Sequence, residues 1–182
     1  MKALVIKGSA RNPGNTEKLC MGISDGLKSK DVEVSIIRPI GLNIEHCTHC
    51  GGCDSTGVCV IEDDMKQIYN AVEASDIIIF CTPVHFLDVS SVLKQVFDRF
   101  QCYWENPPVK KRRVAALVAS AGSVSEDFAV IRSVCKAVSS VITAEWKGEL
   151  IEGGYDMDNK SSKEELLKAY GFGRSLAEGF IT

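Results

Sequence analysis

Short apolar runs alternate along the chain with stretches in which apolar residues recur every three or four positions, and this alternation sets an expected order of strands and helices. Lys2 to Lys7 reads as a first strand, followed by a helix from about Thr16 to Ser29 with Leu19, Ile23 and Leu27 on its inward face. Val32 to Ile37 alternates with period two and reads as a second strand. Asp64 to Ala74 spaces Met65, Ile68 and Val72 as a helix face, with Asp63 or Asp64 as cap. Ile77 to Cys81 is continuously apolar, the pattern of a central parallel strand covered on both faces, and Thr82-Pro83 closes it. Val89 to Phe100 reads as helix and Arg113 to Ala119 as a fourth strand. Ser125 to Ser140 follows as a helix with Phe128, Ile131, Val134 and Val138 in one stripe. Val141 to Leu150 is the expected fifth strand, and Ser161 to Phe180 the last helix, capped by Ser161 or Ser162.

Five strands alternating with helices within 182 residues predict an α/β fold, a flavodoxin-like doubly wound five-stranded parallel sheet with helices on both faces. Residues 1–182 are expected to form one domain, with a cysteine-rich insertion at 46–60. In such sheets ligands lie beyond the carboxyl ends of the strands, which directs attention to the loops after strands one, three and four.

Hydrophobic residues at 45% and charged residues at 25% are the mixture of a soluble globular protein. The formal charge of -3 and isoelectric point near 5.7 give no general attraction for polyanions, so neither nucleic acid nor an anionic membrane is the expected partner. No apolar run approaches the roughly 20 residues of a membrane span, and the N-terminal apolar stretch is too short for a secretory leader. A cytoplasmic protein with a small ligand is expected. The eight cysteines then point to reduced thiols, metal ligands or redox chemistry rather than a disulfide framework.

The first of the three loops is Gly8-Ser9-Ala10-Arg11-Asn12-Pro13-Gly14-Asn15-Thr16, running straight into a helix. Amide groups at a helix N-terminus favour an anion, Ser9, Asn15 and Thr16 add short donors, and Arg11 adds charge. The loop has neither the Lys of a nucleotide P-loop nor closely spaced dinucleotide glycines, so a terminal phosphomonoester fits best. The alternative is a plain turn with Asn15 or Thr16 as N-cap. After the third strand, Pro83 stiffens the exit, backbone amides of the next residues can face a ligand's polar edge, and His85 or Phe86 can pack beside a ring. Ser120-Ala121-Gly122-Ser123 is a third small-residue loop, and equally reads as a turn capped by Ser123 or Ser125. Lys110-Lys111-Arg112-Arg113 reads as a solvated strand entrance. Tyr103-Trp104 with Asn106-Pro107-Pro108 reads as an irregular loop, either an oligomer contact or local packing.

Cys47-x2-Cys50-x2-Cys53-x5-Cys59 gathers four thiols among Gly51, Gly52 and Gly57, which let the backbone wrap a compact object. Such a set suits a cubane iron-sulfur cluster or a tetrahedral zinc site, with redox-active disulfides and reduced thiols as alternatives, and His46 and His49 beside it. Cys20, Cys81, Cys102 and Cys135 read mostly as small core residues.

The run from Gly8 to Thr16 resembles the GSxRxxGNT loop of the NADPH-dependent FMN reductase family. Cys81-Thr82-Pro83-Val84-His85-Phe86, with Ser90, Ser91, Leu93-Lys94 and Phe97-Asp98-Arg99 after it, resembles that family's TPVYF segment, His85 standing where Tyr is more frequent. The four-cysteine spacing resembles the iron-sulfur flavoprotein branch. The resemblance implies that Ser9, Arg11, Asn15 and Thr16 hold the FMN phosphate, and that Pro83, Val84, His85 and Phe86, with Ala121 and Gly122, border the ring. It further implies that Cys47, Cys50, Cys53 and Cys59 ligate a four-iron four-sulfur (4Fe-4S) cluster. Hydride transfer to a flavin needs no protein acid, so no side chain is assigned a catalytic role. The expected function is an FMN-dependent oxidoreductase or electron carrier joining FMN to the cluster, with NAD(P)H as a candidate donor, and a homodimer or homotetramer. Two alternatives stand beside it: an NAD(P)H-dependent FMN or quinone reductase without a cluster, and a non-enzymatic zinc-stapled binding module.

Overall fold

In the computed structural model, which describes residues 1–109, 112–122, 127–155 and 163–181, five strands run parallel in one sheet. They are β1 (Lys2–Lys7), β2 (Glu33–Ile37), β3 (Ile77–Pro83), β4 (Val114–Ser120) and β5 (Glu145–Glu152), hydrogen-bonded in the order β2-β1-β3-β4-β5. That order is the flavodoxin-like one, with its switch point between β1 and β3. The helices are α1 (Asn15–Lys28), α2 (Met65–Ala74), α3 (Ser91–Arg99), the single turn α4 (Cys102–Glu105), α5 (Ala129–Val141) and α6 (Lys163–Ile181). Lys110 and Lys111, Ser123 and Ser125, and Ser161 and Ser162, to which the sequence pattern assigns a strand entrance and caps, lie outside the described residues.

Alternation along the strands divides the apolar side chains between two cores. Leu4, Ile6, Ile78, Phe80 and Leu117 face α2, α3 and α5, whereas Ala3, Val5, Ile77, Ile79 and Val118 face α1 and α6. The expected inward residues of α1 (Leu19, Ile23, Leu27) and α2 (Met65, Ile68, Val72) are all buried, and Phe80 meets Phe97 of α3 edge to face at 4.9 Å. The four cysteines outside the insertion are buried as core residues. No helix among the described residues is long and apolar enough to cross a membrane.

Two expectations are corrected. The β-branched run Val141-Ile142-Thr143 belongs to the end of α5, not to the fifth strand. Thr143 turns the chain with a φ of 55°, and the Ala144 N–H donates back to the Ser139 carbonyl, the hydrogen bond of a helix C-terminal motif. β5 therefore begins at Glu145, and its pairing with β4 shifts by a residue beside Gly148, whose φ is 116°. The segment at Tyr103 and Trp104 is helical, because Tyr103 is buried against Phe100 and its hydroxyl donates to Glu73. At α2 the capping is done by Asp63, whose carboxylate accepts from the Met65 N–H at 2.9 Å.

α1 and α6 cross at glycines. A Cβ on Gly26 would lie 2.1 Å from the Tyr170 carbonyl oxygen, whereas one on Gly171 would meet nothing. Gly26→Ala is expected to lower stability by about 1–3 kcal/mol through forced separation of the helices, and Gly171→Ala to raise it by up to about 1 kcal/mol through helix propensity. Urea unfolding midpoints of the two variants, measured side by side, check the opposite signs.

Candidate functional site

The loops after β1, β3 and β4 are tied to one another at the carboxyl edge of the sheet. The Gly8 N–H donates to the Cys81 carbonyl at 2.7 Å, and the Ser90 hydroxyl donates to the Gly8 carbonyl at 2.7 Å while capping α3 at the Leu93 N–H. A Cβ at Gly8 would lie 2.7 Å from the Ser90 oxygen, so only glycine allows the approach. The hydroxyls of Thr16 and Ser120 share a hydrogen bond of 2.6 Å, and the Val84 N–H donates to the Ser120 carbonyl at 2.8 Å.

Within the first loop Ser9 and Thr16 are buried and Arg11 is exposed. The N-cap of α1 is Gly14, with no side-chain hydrogen bond, so neither Asn15 nor Thr16 caps the helix as a plain turn would have it. The N-cap residue thus brings no side chain of its own onto the first-turn amides, which suits an anion site. Glu17 would oppose an anion there, but it is paired with Lys7, whose side chain is 1% exposed. The peptide between Asn12 and Pro13 is cis.

After β3, residues His85 to Asp88 form a tight turn in which the His85 N–H and the Asp88 N–H donate to each other's carbonyls. Its central residues, Phe86 and Leu87, have φ of 51° and 67°, a conformation usually left to Asn and Gly. The turn lifts the Phe86 ring fully into solvent beside His85, which is also exposed. The amides of Val84 and His85 are thus engaged within the protein, contrary to the expectation that they face a ligand. Of the third loop, Ala121 is buried with its N–H on the Glu152 carbonyl, and Gly122 is exposed.

The cysteine-rich segment lies over α3 and is closed at its base. The Asn43 N–H donates to the Asp64 carboxylate at 2.8 Å and the Glu45 N–H to Asp63 at 2.9 Å. Arg99, the last residue of α3, pairs through Nη1 and Nη2 with both Asp63 oxygens, donates to the Glu45 carbonyl at 2.8 Å, and places Nη2 3.5 Å from the Cys59 sulfur. Nothing in the sequence pattern marked this pair beyond the Phe97-Asp98-Arg99 tract and the acidic start of α2. Cys47, Cys50, Cys53 and Cys59 line one small pocket, together with His49 and Gln101. Burial, and then the Asp54 carboxylate, push the Cys53 thiol above its ordinary pKa. Burial would also raise Asp63, but the Arg99 guanidinium and the Glu45 and Met65 amides outweigh it and hold that carboxyl below the ordinary range.

A family model described as NADPH-dependent FMN reductase matches residues 1–141. The chain belongs to the NADPH-dependent FMN reductase family. It is 32% identical over 182 residues to an iron-sulfur flavoprotein of Archaeoglobus fulgidus, covering 99% of this chain and 80% of that one. A second iron-sulfur flavoprotein, from Methanosarcina thermophila, is 32% identical over 68% of this chain and 64% of its own length. Among solved structures, a flavone reductase superposes with a TM-score of 0.78 at 21% identity, over 100% of this chain and 63% of that one, a likeness of fold. As a member of the NADPH-dependent FMN reductase family the protein is a flavin-dependent oxidoreductase, which sets aside a non-enzymatic zinc-stapled module.

The residues present suit the groups such a family implies to different degrees. The α1 terminus, with Gly14 at its N-cap and buried Ser9 and Thr16 beside it, has the features that a phosphomonoester would fit. The four thiols suit a metal-sulfur centre by the softness of their donors and their shared cavity. Among the described residues, however, no three His, Cys, Asp or Glu side chains are gathered round one point that a metal ion would fill.

Ser90→Ala removes both the α3 cap and the link to Gly8, and is expected to cost about 1–2 kcal/mol of stability in chemical denaturation. Because the folded-state pKa of Asp63 is depressed, its contribution to stability is complete above the unfolded carboxyl value of about 3.9 and is lost as pH falls through the lower folded value. Asp63→Asn is therefore expected to flatten the loss of stability below about pH 4 in acid-unfolding curves.

Proposed function

We propose that the chain is an FMN-dependent electron carrier, working as one domain, that passes electrons between FMN and a four-iron four-sulfur cluster held by Cys47, Cys50, Cys53 and Cys59. The observation that carries the FMN half is the uncapped N-terminus of α1 at Gly14, tied to the other two loops. In this reading Ser9, Arg11, Asn15 and Thr16 hold the phosphate. Pro83, Val84, His85 and Phe86 position the ring on one side, and Ala121 and Gly122 border its other edge. With the Val84 and His85 amides engaged, contact with the ring's polar edge falls to the backbone of the Phe86 turn. FMN supplies the capacity to accept two electrons as hydride and release them singly. The protein's share is to bind, orient and screen the ring from water.

The cluster half draws support from the shared cavity of the four thiols and from relatives named iron-sulfur flavoproteins. The open arrangement of those thiols favours a second reading, an NAD(P)H-dependent FMN or quinone reductase whose cysteines stay reduced. NAD(P)H as donor, a cytoplasmic location, and a homodimer or homotetramer complete the proposal. Exposed Phe86, Leu87 and Trp104 are the kind of surface that an assembly covers.

The test is the visible spectrum of anaerobically purified protein, with iron and acid-labile sulfide assayed on the same sample. Flavin with iron and sulfide near four per chain is the expected result. Flavin without sulfide reduces the protein to the second reading, and failure to take up added FMN overturns both. Gly14→Asp, at an N-cap whose φ of -155° any residue adopts, places the chain's own carboxylate where the phosphate would sit. It is expected to weaken FMN binding more than about tenfold, or 1.4 kcal/mol, in fluorescence titrations.

A further inference from the structure

We propose that Arg99 is the positioning residue of the four-cysteine site, donating N–H···S hydrogen bonds to Cys59 and thereby raising the reduction potential of the centre those thiolates hold, an assignment that rests on the iron-sulfur reading above. The Arg99 side chain is 0% exposed. Its outer edge, Nη1 and Nη2, is filled by the two Asp63 oxygens, Nη1 also donates to the Glu45 carbonyl, and Nη2 reaches the Ile61 carbonyl at 3.4 Å and the Cys59 sulfur at 3.5 Å. Nε is buried and has no hydrogen-bond partner.

The chemistry of guanidinium makes that orphan informative. Its five N–H groups lie in one plane, and the Nε–H points out of the same edge as one N–H of Nη2. With the outer edge filled by Asp63, the Nη2 N–H left for the Cys59 sulfur is the one that shares its edge with the Nε–H. A neutral thiol is a weak acceptor, whereas a thiolate is a strong one. The buried donor is therefore satisfied when a sulfur anion stands on that edge. Asp63 fixes the fork from behind, so the ion pair is a dipole whose positive end faces sulfur.

Reduction adds an electron to a centre already ringed by thiolates, and both hydrogen bonds to sulfur and a nearby cation favour the reduced form. Removing them shifts the potential downward. Packing alone would not do this, which separates the assignment from a purely structural role.

The experiment compares wild type, Arg99→Lys and Arg99→Gln, purified anaerobically, for iron, sulfide and FMN content and for the cluster's midpoint potential in a titration followed by electron paramagnetic resonance. The expected result is a more negative potential in R99Q, with R99K closer to wild type because it keeps the charge. Loss of the cluster in R99Q with its return in R99K, FMN being retained in both, supports the assignment equally. A full cluster at wild-type potential in R99Q overturns it, as does loss of the cluster from both variants. Wild-type protein that holds FMN but no iron or sulfide overturns the reading on which the assignment rests, and is told apart from these outcomes by the wild-type assay alone.

Discussion

Parallel strands all end at the same edge of their sheet, and helices covering both faces leave that edge as the place where the chain can be irregular. In this molecule the constraint is tightened by a few hydrogen bonds. Ser90 holds the carbonyl of Gly8, Thr16 shares a hydrogen bond with Ser120, and Ser120 in turn receives the Val84 amide. Three segments remote in sequence become one surface, and the uncapped start of α1 opens onto it. Without the common strand direction none of these hydroxyls would meet.

Buried cations secure the regions the sheet does not reach. Each would be costly if left bare, and each is compensated differently. Lys7 at the end of β1 is neutralised by Glu17 of α1, which removes a negative charge from the neighbourhood of the loop. Arg99 pairs with Asp63 and fastens the cysteine-rich segment to α3. Arg113 at the start of β4 is solvated by the carbonyls of Ser75 and Ile142 and by the Thr143 hydroxyl, holding the far edge of the sheet.

Much of this was legible from residue pattern. The apolar run at Ile77 to Cys81 is the central strand because nothing but a doubly covered position needs five such residues in a row, and the spacing of Leu19, Ile23 and Leu27 matches the buried stripe of α1. Val141 to Thr143 misled because β-branched residues read as strand, while a helix ending depends on one residue adopting positive φ, for which Thr is a rare choice. The loop from Gly8 to Thr16 was visible as glycines and small polar residues before a helix. That Gly14 rather than a hydroxyl residue stands at the cap is a matter of backbone angle. Arg99 with Asp63 was not visible at all, since a pair separated by 36 positions leaves no local period, only a charge at each of two helix ends.

The base of the cysteine-rich segment is held by Asn43, Glu45, Asp63, Asp64 and Arg99 through bonds to oxygen, and sulfur enters only where Arg99 reaches Cys59. Clasp and thiols thus meet at one residue and are otherwise built from different atoms. The mouth of the loop therefore keeps its shape on oxygen-bonded anchors, whatever state its thiols are in.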